Sequence, residues 1–224
     1  MIQAAHTTAD PVQQHLNALH TSSQLTLTFR RMYQREAAMV TPEGVIAVLH
    51  QAGVNCVLMG THGLGGWRSE ARATQDVDVL VTKRDVRKAV RALHAAYPNL
   101  EISDTPVVTR LIDPASGKPA IDVMKPTQAV YQLVFRHTIP VGDTHRIPDL
   151  EMALASKFAA MVSPNRTRAK KIIDAGDFVD VVTHNRSILD LQKLKKLGDK
   201  VYPNGGAEII RLIEDIDTGR PIQL

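Results

Sequence analysis

The run Asp76-Val77-Asp78-Val79-Leu80-Val81 commits this chain to a β-sheet. A strand reverses its side-chain direction at every residue, so Asp76 and Asp78 point to one face while Val77, Val79 and Val81 point to the other. The valines require a core behind them. The paired carboxylates can hold a divalent cation, because hard cations take oxygen ligands. Arg72 and Thr74, just upstream, offer a charge and a hydrogen bond to an anion at the same place. The alternation equally describes a half-solvated strand whose acids face water, and this segment alone leaves both readings open.

A chain of 224 residues with 44% hydrophobic content can bury a real core. Aromatic residues make up only 4%, so that core must be built from Val, Leu, Ile, Ala and Met. The single cysteine, Cys56, excludes an internal disulfide framework and fits a reducing compartment. No apolar stretch approaches a membrane span, and Met1–Asp10 lacks the apolar core of a signal peptide. The expectation is a soluble, cytoplasmic protein with no membrane partner. The net charge is +4, from 27 Lys and Arg against 23 Asp and Glu. The excess is spread over Arg30, Arg31 and Arg35, then Lys83–Arg91, Arg166–Lys171 and Lys193–Lys200. This balance permits a nucleic-acid partner without demanding one. No basic run is interleaved with aromatics, which argues against a single-strand stacking platform.

Residues 1–23 are polar and read as a weakly packed arm. Asp10-Pro11 could cap a short helix there, and His6, His15 and His20 lack the companions and spacing of a metal site. An α/β core follows over 24–147. It has a helix from Pro42 to Gly53, a buried strand over Val54–Met59, and a glycine-rich loop Gly60-Thr61-His62-Gly63-Leu64-Gly65-Gly66. Next come the Asp76–Val81 strand, a charged amphipathic helix from about Lys83 to Tyr97, and a hairpin. The hairpin pairs Val107–Asp113 with Ala120–Met124 around Pro114-Ala115-Ser116-Gly117-Lys118-Pro119. From 148 to 224 helix follows helix, with Gly198 and Pro203–Gly206 as breakers. The class is therefore α+β, a mixed sheet flanked by helices and followed by a helical C-terminal region.

Three further features bear on chemistry. Glycines let backbone N–H groups approach and wrap a phosphate, and Thr61 adds a hydroxyl donor. The loop fits neither a dinucleotide fingerprint, whose third glycine would fall at Arg68, nor a P-loop; alone it reads more simply as a flexible turn. Asp122 sits inside the apolar strand Ala120-Ile121-Asp122-Val123-Met124, where an unpartnered carboxylate is expensive. It is preferred as a third carboxylate over Asp113, which precedes a proline at a turn, where Asp is ordinary. On a helix over 149–162, Lys157 falls within the stripe of Leu150, Ala153, Leu154, Phe158 and Met161. It must snorkel out or meet an anion, and a triphosphate would serve. Over 168–182, Lys170, Asp174, Asp177 and Asp180 share a face that reads most simply as solvated and salt-bridged.

Taken in order, these pieces resemble the nucleotidyltransferase superfamily related to DNA polymerase β, most closely its AbiEii-type abortive-infection and minimal-nucleotidyltransferase branches. The likeness spans about residues 54–182. It rests on a strand ending in Gly60-Thr61, Arg72 before Asp76-x-Asp78, and a third strand acid, Asp122. In the helical half it rests on Ser156-Lys157, then Arg168, Lys171, Asp174 and Asp177. The chain departs from the pattern at Met59, where the loop's first glycine usually stands, and in the composition of His62–Trp67.

The resemblance implies that Asp76, Asp78 and Asp122 hold two Mg²⁺ ions (Mn²⁺ as an alternative), with Asp122 helping to activate an acceptor hydroxyl. It implies a nucleotide site made of Gly60, Thr61, Arg72, Thr74, Lys157, Lys171 and Asp174. The implied reaction moves a nucleoside monophosphate from an NTP to a hydroxyl acceptor on RNA, a tRNA end included, or on a protein. The implied setting is a toxin–antitoxin or abortive-infection system, with a cognate toxin or antitoxin as partner. Two alternatives remain: modification of a small antibiotic-like molecule, and a nucleotide- or partner-binding module without turnover.

Overall fold

A computed structural model of the chain describes residues 10–33 and 39–222. The architecture is α+β, a seven-stranded mixed sheet between two helical layers. The elements are α1 (Pro11–Tyr33), α2 (Pro42–Gln51), β1 (Cys56–Leu58), α3 (Gly60–Gly63), β2 (Val77–Val81), α4 (Val86–Ala96), β3 (Glu101–Asp104), β4 (Val108–Asp113) and β5 (Lys118–Met124). They continue with α5 (Ala129–Leu133), β6 (Thr138–Val141), β7 (His145–Pro148), α6 (Leu150–Val162), α7 (Arg168–Asn185), α8 (Leu191–Gly198) and α9 (Gly205–Asp217).

The strand order is β3-β4-β5-β2-β1-β7-β6. The pairs β2–β5 and β1–β7 are parallel, and the others are antiparallel. Strand parity sorts the core into two clusters. Val77, Val79 and Val81 of β2, with Ile121 and Val123 of β5, pack towards α2 and α4. Leu80 of β2, with Val57 and Met59, packs towards α6, α7, α8 and α9. Fully burying each of the three valines contributes roughly 2 kcal/mol, which fixes the register and turns Asp76 and Asp78 towards the helical half.

Caps set the helix starts. Thr41 accepts from the Gly44 N–H at 3.1 Å ahead of Pro42, and Asp149 accepts from the Met152 N–H at 3.0 Å at the head of α6. Two strands absent from the sequence reading, β6 and β7, form a hairpin whose turn carries Gly142 at φ +55°. Pro140 conceals β6 from a propensity reading, yet proline is tolerated there because β6 is a sheet edge. The other edge, β3, is hidden by its charges.

The expected weakly packed arm differs from its described part. From Pro11 the chain forms the 23-residue helix α1, with His15, Leu19, Ser22, Ser23 and Thr26 buried. The physical reason is specific hydrogen bonding: Ser23 donates to Glu43 of α2, and Ser22 and Thr26 bond the backbone beside the Asp76 strand. Residues 1–9 of that arm, with His6, lie outside the described residues, as does Arg35.

Candidate active site

Three strands deliver the acids and their neighbours. Asp78 and Asp122 face each other across the parallel pair β2–β5, and Asp76 stands on the same face two residues before Asp78. One carboxylate oxygen from each lies within 4.8 Å of the others. On the far side of Asp122, Arg110 of β4 is its antiparallel partner, with Nε 3.5 Å from Asp122 Oδ2. Sequence reasoning missed Arg110: counting back through the hairpin turn from Asp113 opposite Lys118 places Thr109 opposite Asp122, and only the register shift between Leu111 and Ile112 brings Arg110 there instead. Asp113 is held elsewhere: it accepts from the Ala115 N–H and the Ser116 hydroxyl, both at 3.0 Å.

Crowding carboxylates in a half-buried place raises their pKa values. Burial, then repulsion from Asp76 and Asp122, holds Asp78 well above the ordinary carboxylate range, against the pull of Lys157 and Arg166. Burial and the charge of Asp76 push Asp122 up to about 6, against Arg110. Asp122 Oδ1 is buried with no hydrogen-bond partner. Three clustered acids, one with an orphaned oxygen, suit a divalent cation of oxygen preference.

Gly60 is required by Asp78. Its φ is +57°, and a Cβ there would lie 2.0 Å from Asp78 Oδ2. Gly66 is required by α1, since a Cβ would stand 2.6 Å from the Pro11 carbonyl oxygen. The glycine-rich segment is thus not an extended flexible loop. It is one helical turn and a tight chain passage, and Thr61, His62 and Leu64 within it are buried. Gly60 lines a cavity of about 90 Å³ with Asp78, Tyr131, Ser156, Lys157 and Arg166. Thr61 does not join them, lining instead a small void beneath α1 with Ala18 and Ser22.

Lys157 neither snorkels nor waits for an outside anion. It donates to Asp174 Oδ1 at 3.0 Å and to Asp177 Oδ2 at 2.7 Å, all three groups being buried. Arg166 forks onto Asp174, Arg72 forks onto Asp177 at 3.0 and 2.8 Å, and Arg68 bridges Asp177 and Asp180. The middle of the α7 face expected to be solvated, Asp174 and Asp177, is therefore a buried ionic network, because α6 and the Arg68–Arg72 segment cover it, while Lys170 is exposed and Asp180 partly so. Burial opposes the Asp177 carboxylate, but hydrogen bonds from Arg72 and Lys157 outweigh it and hold its pKa far below the usual value. Arg166 and Tyr131 were not foreseen. Burial and the nearby Asp78 push the Tyr131 hydroxyl up to about 12, so it stands as a neutral donor on the cavity wall.

Thr74 serves Asp76 directly, donating to Oδ1 at 3.0 Å. Its own backbone is gripped by α1: Thr26 Oγ1 donates to the Thr74 carbonyl at 3.0 Å and accepts from the Thr74 N–H at 3.3 Å. Ser22 donates to the Arg72 carbonyl at 2.7 Å. Lys171, half-buried on α7, has no side-chain ion pair among the described residues. Its exposed neighbour Lys170 is the one whose charge reaches Asp122.

No family model matches the chain, and no curated protein matches it. Among solved structures, the chain is similar to an antigenic nucleotidyltransferase-like protein from Paracoccidioides brasiliensis at 15% identity, TM-score 0.43, covering 77% of this chain and 91% of the other. It is also similar to terminal uridylyl transferase 4 from Trypanosoma brucei, solved with bound GTP, at 12% identity, TM-score 0.33, covering 89% of this chain and 71% of the other.

Proposed function

We propose that the protein is a metal-dependent nucleotidyltransferase that moves a nucleoside monophosphate from an NTP to a hydroxyl on RNA, a tRNA end included, or on a protein. The observation that carries this reading is the carboxylate triad Asp76–Asp78–Asp122 within 4.8 Å, beside a cavity lined by Lys157 and Arg166. A magnesium or manganese ion bound there would supply positive charge to the phosphoryl oxygens. The chain's own residues do the rest. Asp122 orients the acceptor hydroxyl and takes its proton, while Arg110 holds Asp122 in place. Arg166 and Lys157 face the incoming phosphates, and Tyr131 and Ser156 offer neutral hydrogen-bond donors beside them. The setting proposed is a toxin–antitoxin or abortive-infection system.

A second reading has one observation in its favour. Lys157 is already neutralised by Asp174 and Asp177, as a binding module without turnover would allow. One experiment separates the two. The protein is incubated with each radiolabelled NTP, Mg²⁺, and whole-cell RNA or lysate, in parallel with Asp78→Asn and Asp122→Ala. Transfer of label by the native chain, lost in both variants while their far-ultraviolet circular dichroism is unchanged, is the expected result. Undiminished labelling by Asp78→Asn would remove the triad from the chemistry, and label in no fraction would favour the binding module. Label in a small molecule would move the acceptor to the antibiotic-like class.

A further inference from the structure

The basic run Lys83–Arg91 has no part in the catalytic reading. It borders a groove of about 720 Å³ between α4 and strands β3 and β4. Arg110 pairs with Asp122, so the adjacent Thr109, which lines this groove, points to the opposite face of the sheet from the carboxylates. The groove is therefore separate from the triad. Its cationic wall is Lys83, Arg87 and Arg91, all exposed and without a side-chain ion pair among the described residues. Its one lining acid, Asp104, is already answered by Lys125 at 2.7 Å, which leaves three uncompensated positive charges. Its floor is apolar, made by Val86 and Val90 of α4, Ile102 of β3 and two prolines. Ile102 is 46% exposed there.

We propose that this groove docks an acidic, extended segment of a partner protein, carboxylates on the cationic wall and apolar side chains on the floor. Spacing favours an extended chain. Arg87 and Arg91 are one helical turn apart, a rise of about 6 Å, and alternate residues of a strand are about 6.6 Å apart. Carboxylates at every second position meet successive arginines, while the residues between them turn towards Val86, Val90 and Ile102. Charge complementarity alone would admit a nucleic acid. No aromatic side chain lines the groove to stack a base, and a phosphate backbone would leave the apolar floor wet.

The test uses the full chain and a short fluorescein-labelled peptide alternating Glu with Val, read by fluorescence anisotropy at low and high salt. A peptide with Lys in place of Glu and a labelled oligouridine run in parallel. The expected result is salt-sensitive binding of the acidic peptide alone. The Arg87→Glu/Arg91→Glu variant should weaken it by roughly tenfold or more, and Asp78→Asn should leave it unchanged. Both arginines are exposed, so the double variant should keep the native melting curve. Three results would overturn the proposal: no binding, equal binding by native and double variant, or oligouridine binding that the double variant abolishes. A dimer dissociated by that variant would overturn it too, by making a second copy the occupant. None of these results bears on the triad.

Discussion

Asp177 binds three cations, Arg68, Arg72 and Lys157, from a position that is 3% exposed. A carboxylate so placed is stable only while its partners remain, which makes Lys157 a structural cation as well as a candidate ligand for phosphate. The two roles predict different losses. Lys157→Met keeps the volume and removes the charge, leaving Asp174 and Asp177 short of a partner each. Breaking a buried pair in this way costs about 3 kcal/mol or more. The urea midpoint of the nucleotide-free protein should fall accordingly, and NTP binding should fall with it. If Lys157 mattered only to the nucleotide, the urea midpoint would stay and binding alone would drop.

At the scale of elements, α1 acts as a strap across the segment that introduces the triad. Ser22 and Thr26 hold the Arg72 and Thr74 backbones, and Thr74 in turn holds Asp76. Thr26→Val keeps the shape of the side chain and deletes both bonds to Thr74. Stability should fall by about 1 kcal/mol, the usual worth of such a bond. Transfer activity should fall by roughly tenfold or more, because small misplacements of reacting groups are costly. Equal proportional losses in melting and activity would reduce α1 to packing. This strap was not legible in the sequence. Hydroxyls on a polar helix look solvated until the loop they grip is known, and that loop lies about fifty positions away. The strands β2 and β5 were legible because alternation of Asp with Val, Leu and Ile is a local signal. The head of α6 was legible for a similar reason, with Asp149 as cap and an apolar run behind it. The partners of Lys157 were not, since its stripe position says only that an anion is needed and two helices must pack to name it.

At the scale of the whole molecule, buried titratable groups pull stability in opposite directions with pH. His15 of α1 and His145 of β7 touch through their Nε2 atoms at 3.0 Å, one donating and one accepting. A proton on both would set two N–H groups against each other in a dry contact. Burial, with the charges of His145 and His62, lowers His15 to about 3, and burial lowers His145 to about 4. The unfolded chain binds protons at both near pH 6.5 while the folded chain does not, so this contribution is complete above about 6.5 and is lost as pH falls towards 4. Asp122 works the other way: its pKa is raised to about 6, so the metal-free fold loses stability as pH rises through that value. The difference between the native chain and His15→Gln isolates the histidine part, because the carboxylates are common to both. We expect His15→Gln to be the less stable chain near pH 7, and to lose less melting temperature than the native chain on going to pH 4. Added Mg²⁺ should raise both melting temperatures near pH 7 and neither at pH 4, where the raised carboxyls of Asp78 and Asp122 are protonated. Parallel pH slopes for the two chains would show that the two histidines share a proton in the folded state and do not hold α1 against the sheet.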